Sequence, residues 1–334
     1  MRMRARSKHH SSVFTVLQLP LAVPVLLLYL IVGAFVARFL SGDNIKTILF
    51  SAAVLLPVVL TTQLLLILGR FDLSIGATAS LAGMVTGVVF RLTGSLPLAV
   101  CCGMAAGAIV GCTAGALVAR LEIDPLIATL ALMGMARSVS LVLTDGRIVT
   151  GLPDILGQLI RAEAFHLPLL IPAAFGCTVC AAWSVRHVVF FRRFYAAGNN
   201  SNAASNAGVR VESLIVWSDA LAGLGAALTG VIQISRTLSA SPLLFDTLAI
   251  DTIAACILGG SSLNGGRGGV WGALLGLLVI VATDNLVTML GISVYWKDCA
   301  VGALLLIAVL GRPISSGLNH FIMRKASRER TRKP

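Results

Sequence analysis

The chain has 334 residues, of which 57% are hydrophobic and 12% charged, with a mean hydropathy of +0.92 and a formal net charge of +12. A soluble protein of this length carries about twice that share of charged residues, so a water-soluble globular domain is excluded. The excess of positive charge reads as a topology signal with attraction to anionic membrane lipid, in preference to nucleic-acid binding.

Apolar stretches long enough to cross a hydrocarbon core recur along the chain, each needing roughly 20 residues. In order they are Leu19–Leu40, Ile48–Leu68, Leu73–Phe90, Leu96–Val118, Pro125–Leu143, Leu167–Phe190, Ser213–Ile234, Leu248–Gly259, Val270–Leu290 and Cys299–Leu310. The eighth is too short for an ordinary span and is expected to be re-entrant or broken. The expected fold is therefore an all-α membrane bundle of about ten elements over residues 19–311, flanked by basic tails at 1–18 and 312–334. No cleavable signal is visible, because no small-residue cleavage site follows the first apolar stretch.

Basic residues orient the bundle. Arg2, Arg4, Arg6 and Lys8 at one end, and Arg324, Lys325, Arg328, Arg330, Arg332 and Lys333 at the other, place both termini in the cytoplasm. Alternation then puts Arg70, Arg120, the Arg186–Arg210 region and Arg267 inside as well. Lys46, Arg91, Arg147, Arg161, Arg236 and Lys297 remain outside.

Between the second and third stretches the chain reads LLILGRFDLSIGAT, residues 65–78. An arginine and an aspartate between apolar runs mark either a tight turn or the unwound middle of a functional pair, since a charge facing lipid is costly. Asp72 and Ser74 are suited to cap the following helix, and Arg70 is expected at the cytoplasmic face. Further along, Arg137 falls inside the fifth stretch and is expected to pair with an intramembrane acid. Asp219 and Asp284 lie within spans, and Asp251 near the end of one. An ion-coupled carrier would use such acids, although structural, hydrogen-bonded roles are the favoured reading. Cys177 and Cys180 form a C-x-x-C without a partner pair, and no histidines combine with carboxylates at ligand spacing. Metal and redox chemistry have no support.

The longest polar interruption is RRFYAAGNNSNAASNAGVRVES, Arg192–Ser213, which all but coincides with the proposed cytoplasmic loop 191–212. Ala203 and Ala204 favour a short helix, and Asn200, Gly198 and Gly208 punctuate it. A small-residue helix seats closely in a groove on another protein; a merely solvated connector would more typically carry lysine and glutamate. A second concentration, AACILGGSSLNGGRGGVWG, carries six glycines between Leu258 and Val270. Gly260 and Gly265 have the spacing of a phosphate loop, but Gly266 and Arg267 stand where it needs lysine and a hydroxyl residue. No lysine of the chain follows a glycine, so there is no nucleotide P-loop. Close backbone packing is the better reading of Gly259, Gly260, Gly265 and Gly266.

Taken together these stretches resemble the permease subunit of ribose-type ABC importers, within the superfamily that includes branched-chain amino acid permeases. GRFDLSIG, which contains Asp72, Leu73, Ser74 and Gly76, resembles the family's Gly-Gly-x-Asp-Leu-Ser-Val-Gly signature. IDPLIATLALMGMARSVSLVLTDG, with Thr129, resembles its Pro-x-x-x-x-Thr-Leu segment. YAAGNNSNAASNAGV, starting at Tyr195 and Ala196, resembles its cytoplasmic loop. IDTIAACILGGSSLNGGRGGVWGALLG, with Asp251, resembles its glycine-rich block, and NLVTMLGISVYW continues the match from Asn285. The sequence departs from the family pattern at Arg70, Ala131, Ser138, Asn199 and Ala249. The resemblance implies a bacterial inner-membrane subunit that imports a sugar or related small polar solute, with amino acids or nucleosides as the alternative. It further implies a separate ATPase that binds the ATP, a periplasmic solute-binding protein, and a second permease, identical or homologous. Residues 195–209 would be the loop that receives the ATPase's movement. No cofactor and no covalent catalysis are expected of this chain.

Overall fold

The computed structural model describes residues 22–309 except 37, 153–156, 159, 161, 165–166 and 294. The two basic tails expected at 1–18 and 312–334 lie outside the described residues. Eleven helices have bounded ends: α1 (Ala22–Phe35), α2 (Gly42–Ile67), α3 (Ile75–Thr93), α4 (Leu96–Arg120), α5 (Pro125–Val142), α6 (Leu170–His187), α7 (Val189–Asn199), α8 (Ser201–Asn206), α9 (Val211–Thr237), α10 (Leu248–Leu258) and α11 (Val270–Met289). Residues 295–309 are also helical. The described β-structure amounts to a hairpin of two-residue strands, Glu163–Ala164 with Leu167–Pro168, and a bridge between Val149 and Ala240.

The described residues of the ten apolar stretches are mostly helical. Six described helices are long and apolar enough to cross a membrane, and up to seven if the bent pair α6–α7 is one span. α1 and α10, at 14 and 11 residues, fall short of that length. The sixth stretch differs from expectation. Instead of one straight helix, the chain turns by 69° between α6 and α7, at Val188 in extended conformation (φ −82°, ψ 121°).

Local chemistry fixes the helix ends. Ser41 caps α2 by accepting from the Asn44 N–H at 3.3 Å, and Asp124 caps α5 by accepting from the Leu126 N–H at 2.8 Å, with Pro125 following it. Within α2, Pro57 brings no N–H, and the Thr61 hydroxyl donates to its carbonyl at 3.1 Å.

α9 is the central helix, packed against α2, α3 and α4. Its approach to α4 is a contact of backbones. Gly103, Gly107, Gly111 and Gly115 recur every fourth residue, so they share one face of α4. A Cβ on Gly107 or Gly111 would run into the carbonyl oxygens of Gly223 or Asp219, and one on Gly115 would lie 2.7 Å from the Val216 Cα. Small residues at this spacing let membrane helices gain packing and dispersion energy that bulkier residues would prevent. On the other side of α9, Gly230 packs against Ala79 and Gly83 of α3. A second core joins α2, α10 and α11 through Leu56, Val58, Leu65, Ile257, Leu277 and Ile280.

Candidate functional site

Three stretches that are far apart in the sequence meet at one end of the bundle. α2 ends at Ile67, and Gly69 (φ +76°) starts the turn to α3. The Ile67 carbonyl accepts from the Gly266 N–H at 2.8 Å. Gly198, near the end of α7, sits so close that a Cβ there would collide with the same Ile67 oxygen and lie 2.8 Å from the Gly266 nitrogen. A Cβ on Gly265 would approach both the Gly198 oxygen and the Gly69 backbone, at 2.8 and 3.0 Å, and one on Gly266 would strike the Asn199 side chain. The Tyr195 hydroxyl completes the joint by donating to the Gly268 carbonyl at 2.9 Å. The glycine-rich block is thus a loop whose backbone is clamped between the turn after α2 and the end of α7. Ser262 N–H donates to the Arg267 carbonyl at 3.1 Å to close it.

The turn carries buried polar groups. Asp72, 2% exposed, accepts from both the backbone N–H and the hydroxyl of Ser74 at 2.7 Å. Asp72 is therefore the capping acceptor, and the Ser74 hydroxyl serves it as a donor without capping α3 itself. Burial pushes the Asp72 carboxyl above the usual carboxylate range, with the Ser74 hydrogen bonds and the nearby Arg70 pulling the other way. Leu73 is half-buried beside it. Gly76 lets the carbonyl of Phe245 approach the first turn of α3 where a Cβ would block it. Arg70, expected at the cytoplasmic face, is buried within the protein. It is 9% exposed, and its guanidinium donates to the Asp219 carboxylate of α9 at 3.0 Å. The ion pair resolves the charge cost raised by the sequence: neither group faces lipid.

From the joint the chain runs into α8. Asn200 caps it by accepting from the Ala203 N–H at 3.0 Å. The helix stops in a Schellman arrangement, with Gly208 at φ +84° and the Val209 N–H donating back to the Ala204 carbonyl at 3.0 Å. Ala204 points inward, 6% exposed, and belongs to a cluster with Leu64, Ile67, Phe194 and Leu214. Ser201, Asn202, Ala203, Ser205 and Asn206 are exposed, as is Ala196 on α7. The two alanines singled out from the sequence thus have opposite roles: Ala204 anchors the helix and Ala203 lies on its outer surface.

The remaining residues singled out from the sequence lie elsewhere. Gly259 packs against Gly272, allowing α10 to lie close on α11, and Gly260 takes φ +98° in the turn that follows. Thr129 is fully buried and donates to the Pro125 carbonyl at 2.8 Å. At the opposite end of the bundle from the joint, Asn285 and Asn44 exchange two amide hydrogen bonds, at 2.9 and 2.8 Å, tying α11 to the start of α2. Asp251, 8% exposed, lies 3.7 Å from the Lys297 ammonium, which is also 3.7 Å from Asp284. Arg137 pairs with none of the four acids noted from the sequence. Its partner is Asp246, at 3.3 Å, a residue just before α10. The glycine ridge of α4 and the buried Ser261–Gln63 hydrogen bond, 2.6 Å, went unnoticed in the sequence. The ridge had a legible signal in its four-residue glycine spacing; the hydrogen bond, 198 positions apart, had none.

The described residues thus form a bundle of apolar helices with a backbone joint beneath a small capped helix. Comparison with known proteins gives the class: residues 44–309 match the family described as branched-chain amino acid transport system, permease component. The chain belongs to this family and is a multi-pass membrane permease component. Among its relatives, the autoinducer 2 import system permease protein LsrC of Salmonella typhi is 31% identical over 279 residues, covering 84% of this chain and 80% of the relative. The protein of the same name from Escherichia coli O9:H4 (strain HS) is 32% identical over 286 residues, covering 86% and 83%. No solved structure matches the chain.

Proposed function

We propose that this chain is the membrane-spanning subunit of an ABC importer for a sugar or related small polar solute. It works with a separate ATPase, an extracytoplasmic solute-binding protein and a second permease, identical or homologous. The observation that carries this reading is the joint: α8, the candidate ATPase-docking helix, is anchored by Ala204 and by α7 to the point where α2, the turn before α3 and the glycine-rich loop touch. A push on α8 therefore has a direct route into the spans. In this reading both termini and the joint are cytoplasmic, about ten membrane elements are present, and α1, α10 and residues 295–309 complete the count begun by the longer helices. The chain supplies conformations with different openings, and ATP binding and hydrolysis in the partner shift their populations.

The relatives' names favour a solute like autoinducer 2 within the sugar-like class. Amino acids and nucleosides are the alternatives within the superfamily. An ion-coupled carrier is disfavoured by the pairing of its candidate acids, since Asp219 is held by Arg70, and Asp251 and Asp284 flank Lys297. The test is reconstitution of the permease with and without a partner ABC ATPase, with the binding protein loaded in turn with autoinducer 2, pentoses and hexoses. ATP-dependent uptake is expected when the ATPase is present. Solute uptake by the permease alone, driven by an ion gradient, would overturn the reading.

A further inference from the structure

Arg137 lies twelve residues into α5, about 18 Å along a helix long enough to span the membrane. Its side chain and that of Asp246 are 47% and 48% exposed although they form an ion pair at 3.3 Å. The same helix exposes Ile127, Leu130, Met135 and Val139. Asp246 is also at membrane depth. The segment after α9 pairs with Val149 at Ala240 beside Gly87 of α3, then descends until the Phe245 N–H donates to the Ser80 hydroxyl at 3.3 Å and its carbonyl meets Gly76. Gly87 to Gly76 is eleven residues of α3, or about 16 Å of descent by a chain that is not helical. Non-helical backbone at that depth is tolerated where it is buried in protein or lines a water-filled cavity. A charge pair at that depth with half its surface open is costly in lipid, and such groups face the bundle interior or a water-filled cavity.

The geometry points to Arg137 and Asp246 as a water-facing polar constriction of the solute pathway, in which the guanidinium donates to, and the carboxylate accepts from, the hydroxyl groups of a passing solute. This rests on the importer reading and adds to it the place in the chain where solute is contacted. Neither residue belongs to the joint or to the docking helix, so pathway contact and ATPase coupling are separable.

The test is thiol labelling of the full chain, expressed with its ATPase in membranes, after the seven native cysteines are replaced by alanine. Arg137→Cys and Asp246→Cys are treated with a membrane-impermeant trimethylammonium methanethiosulfonate reagent, which reacts with the hydrated thiolate. Both are expected to label about tenfold faster or more than Ile127→Cys on the apolar surface of α5. Ser138→Cys, a one-atom change beside Arg137, guards against loss of either ion-pair variant through misfolding and is expected to label as well. Labelling of all three no faster than Ile127→Cys would overturn the proposal. The readout needs no transport, so a permease that failed to associate with an ATPase would refute the importer reading while leaving this result to stand or fall separately.

Discussion

Arg70 and Asp219 are 149 positions apart in the chain and 3.0 Å apart in the fold, both buried, one in the turn after α2 and the other on the central helix α9. Removing one partner leaves an uncompensated buried charge, which costs about 3–5 kcal/mol. Asp219→Ala is therefore expected to lower thermal stability in detergent by that order. The double replacement Arg70→Met with Asp219→Leu should recover most of the loss. A single replacement as stable as the parent would show that the pair does not hold the turn.

Gly198 meets the Ile67 carbonyl where no Cβ fits. Gly198→Val would force the end of α7 away from α2, an overpacking cost of about 1–3 kcal/mol. The larger expected effect is on uptake, which should fall below detection while the ATPase still co-purifies. Wild-type uptake in this variant would show that the joint is not the coupling route.

Tyr195 donates one hydrogen bond to the glycine-rich loop. Its replacement by phenylalanine keeps the ring and removes the hydroxyl, a loss of about 1 kcal/mol. Tyr195→Phe should show a small fall in melting temperature with a reduced ratio of solute moved per ATP hydrolysed. An unchanged ratio would assign the bond to stability alone.

Ala203 and Ala204 separate docking from folding. Ala203→Arg puts a charge on the exposed surface of α8, so normal expression and melting are expected with loss of ATPase co-purification. Ala204→Arg drives a charge into the cluster around Phe194 and Leu214 and should lower the yield of folded permease itself. Equal behaviour of the two variants in both assays would refute the inward and outward assignment.

The apolar segments were readable because a membrane span needs a long uninterrupted run, and composition alone displays it. The break at Val188 was not, since valine and phenylalanine continue the apolar run straight through the 69° turn. Glycines at 198, 265 and 266 stood out singly, yet nothing local says that they touch one another. Asp246 gave no signal at all: it is an ordinary loop aspartate until the descent of its segment beside α3 brings it to Arg137. Sequence patterns report the neighbours of a residue along a helix, whereas these pairings depend on which helices lie side by side.

The joint is fastened mainly by main chain, and that gives it a mechanical character. Side chains can absorb a displacement by changing rotamer; two backbones already in contact have no such slack. An eleven-residue arm, α7, about 16 Å long, ends at this point, with an elbow at Val188 behind it. Under the proposed coupling role, a displacement of α8 would reach the end of α2 through touching backbones, and the Arg70–Asp219 pair links that turn to α9. What such a part demands of its sequence is the absence of side chains at a few positions, so its tolerance is set by the size of a hydrogen atom.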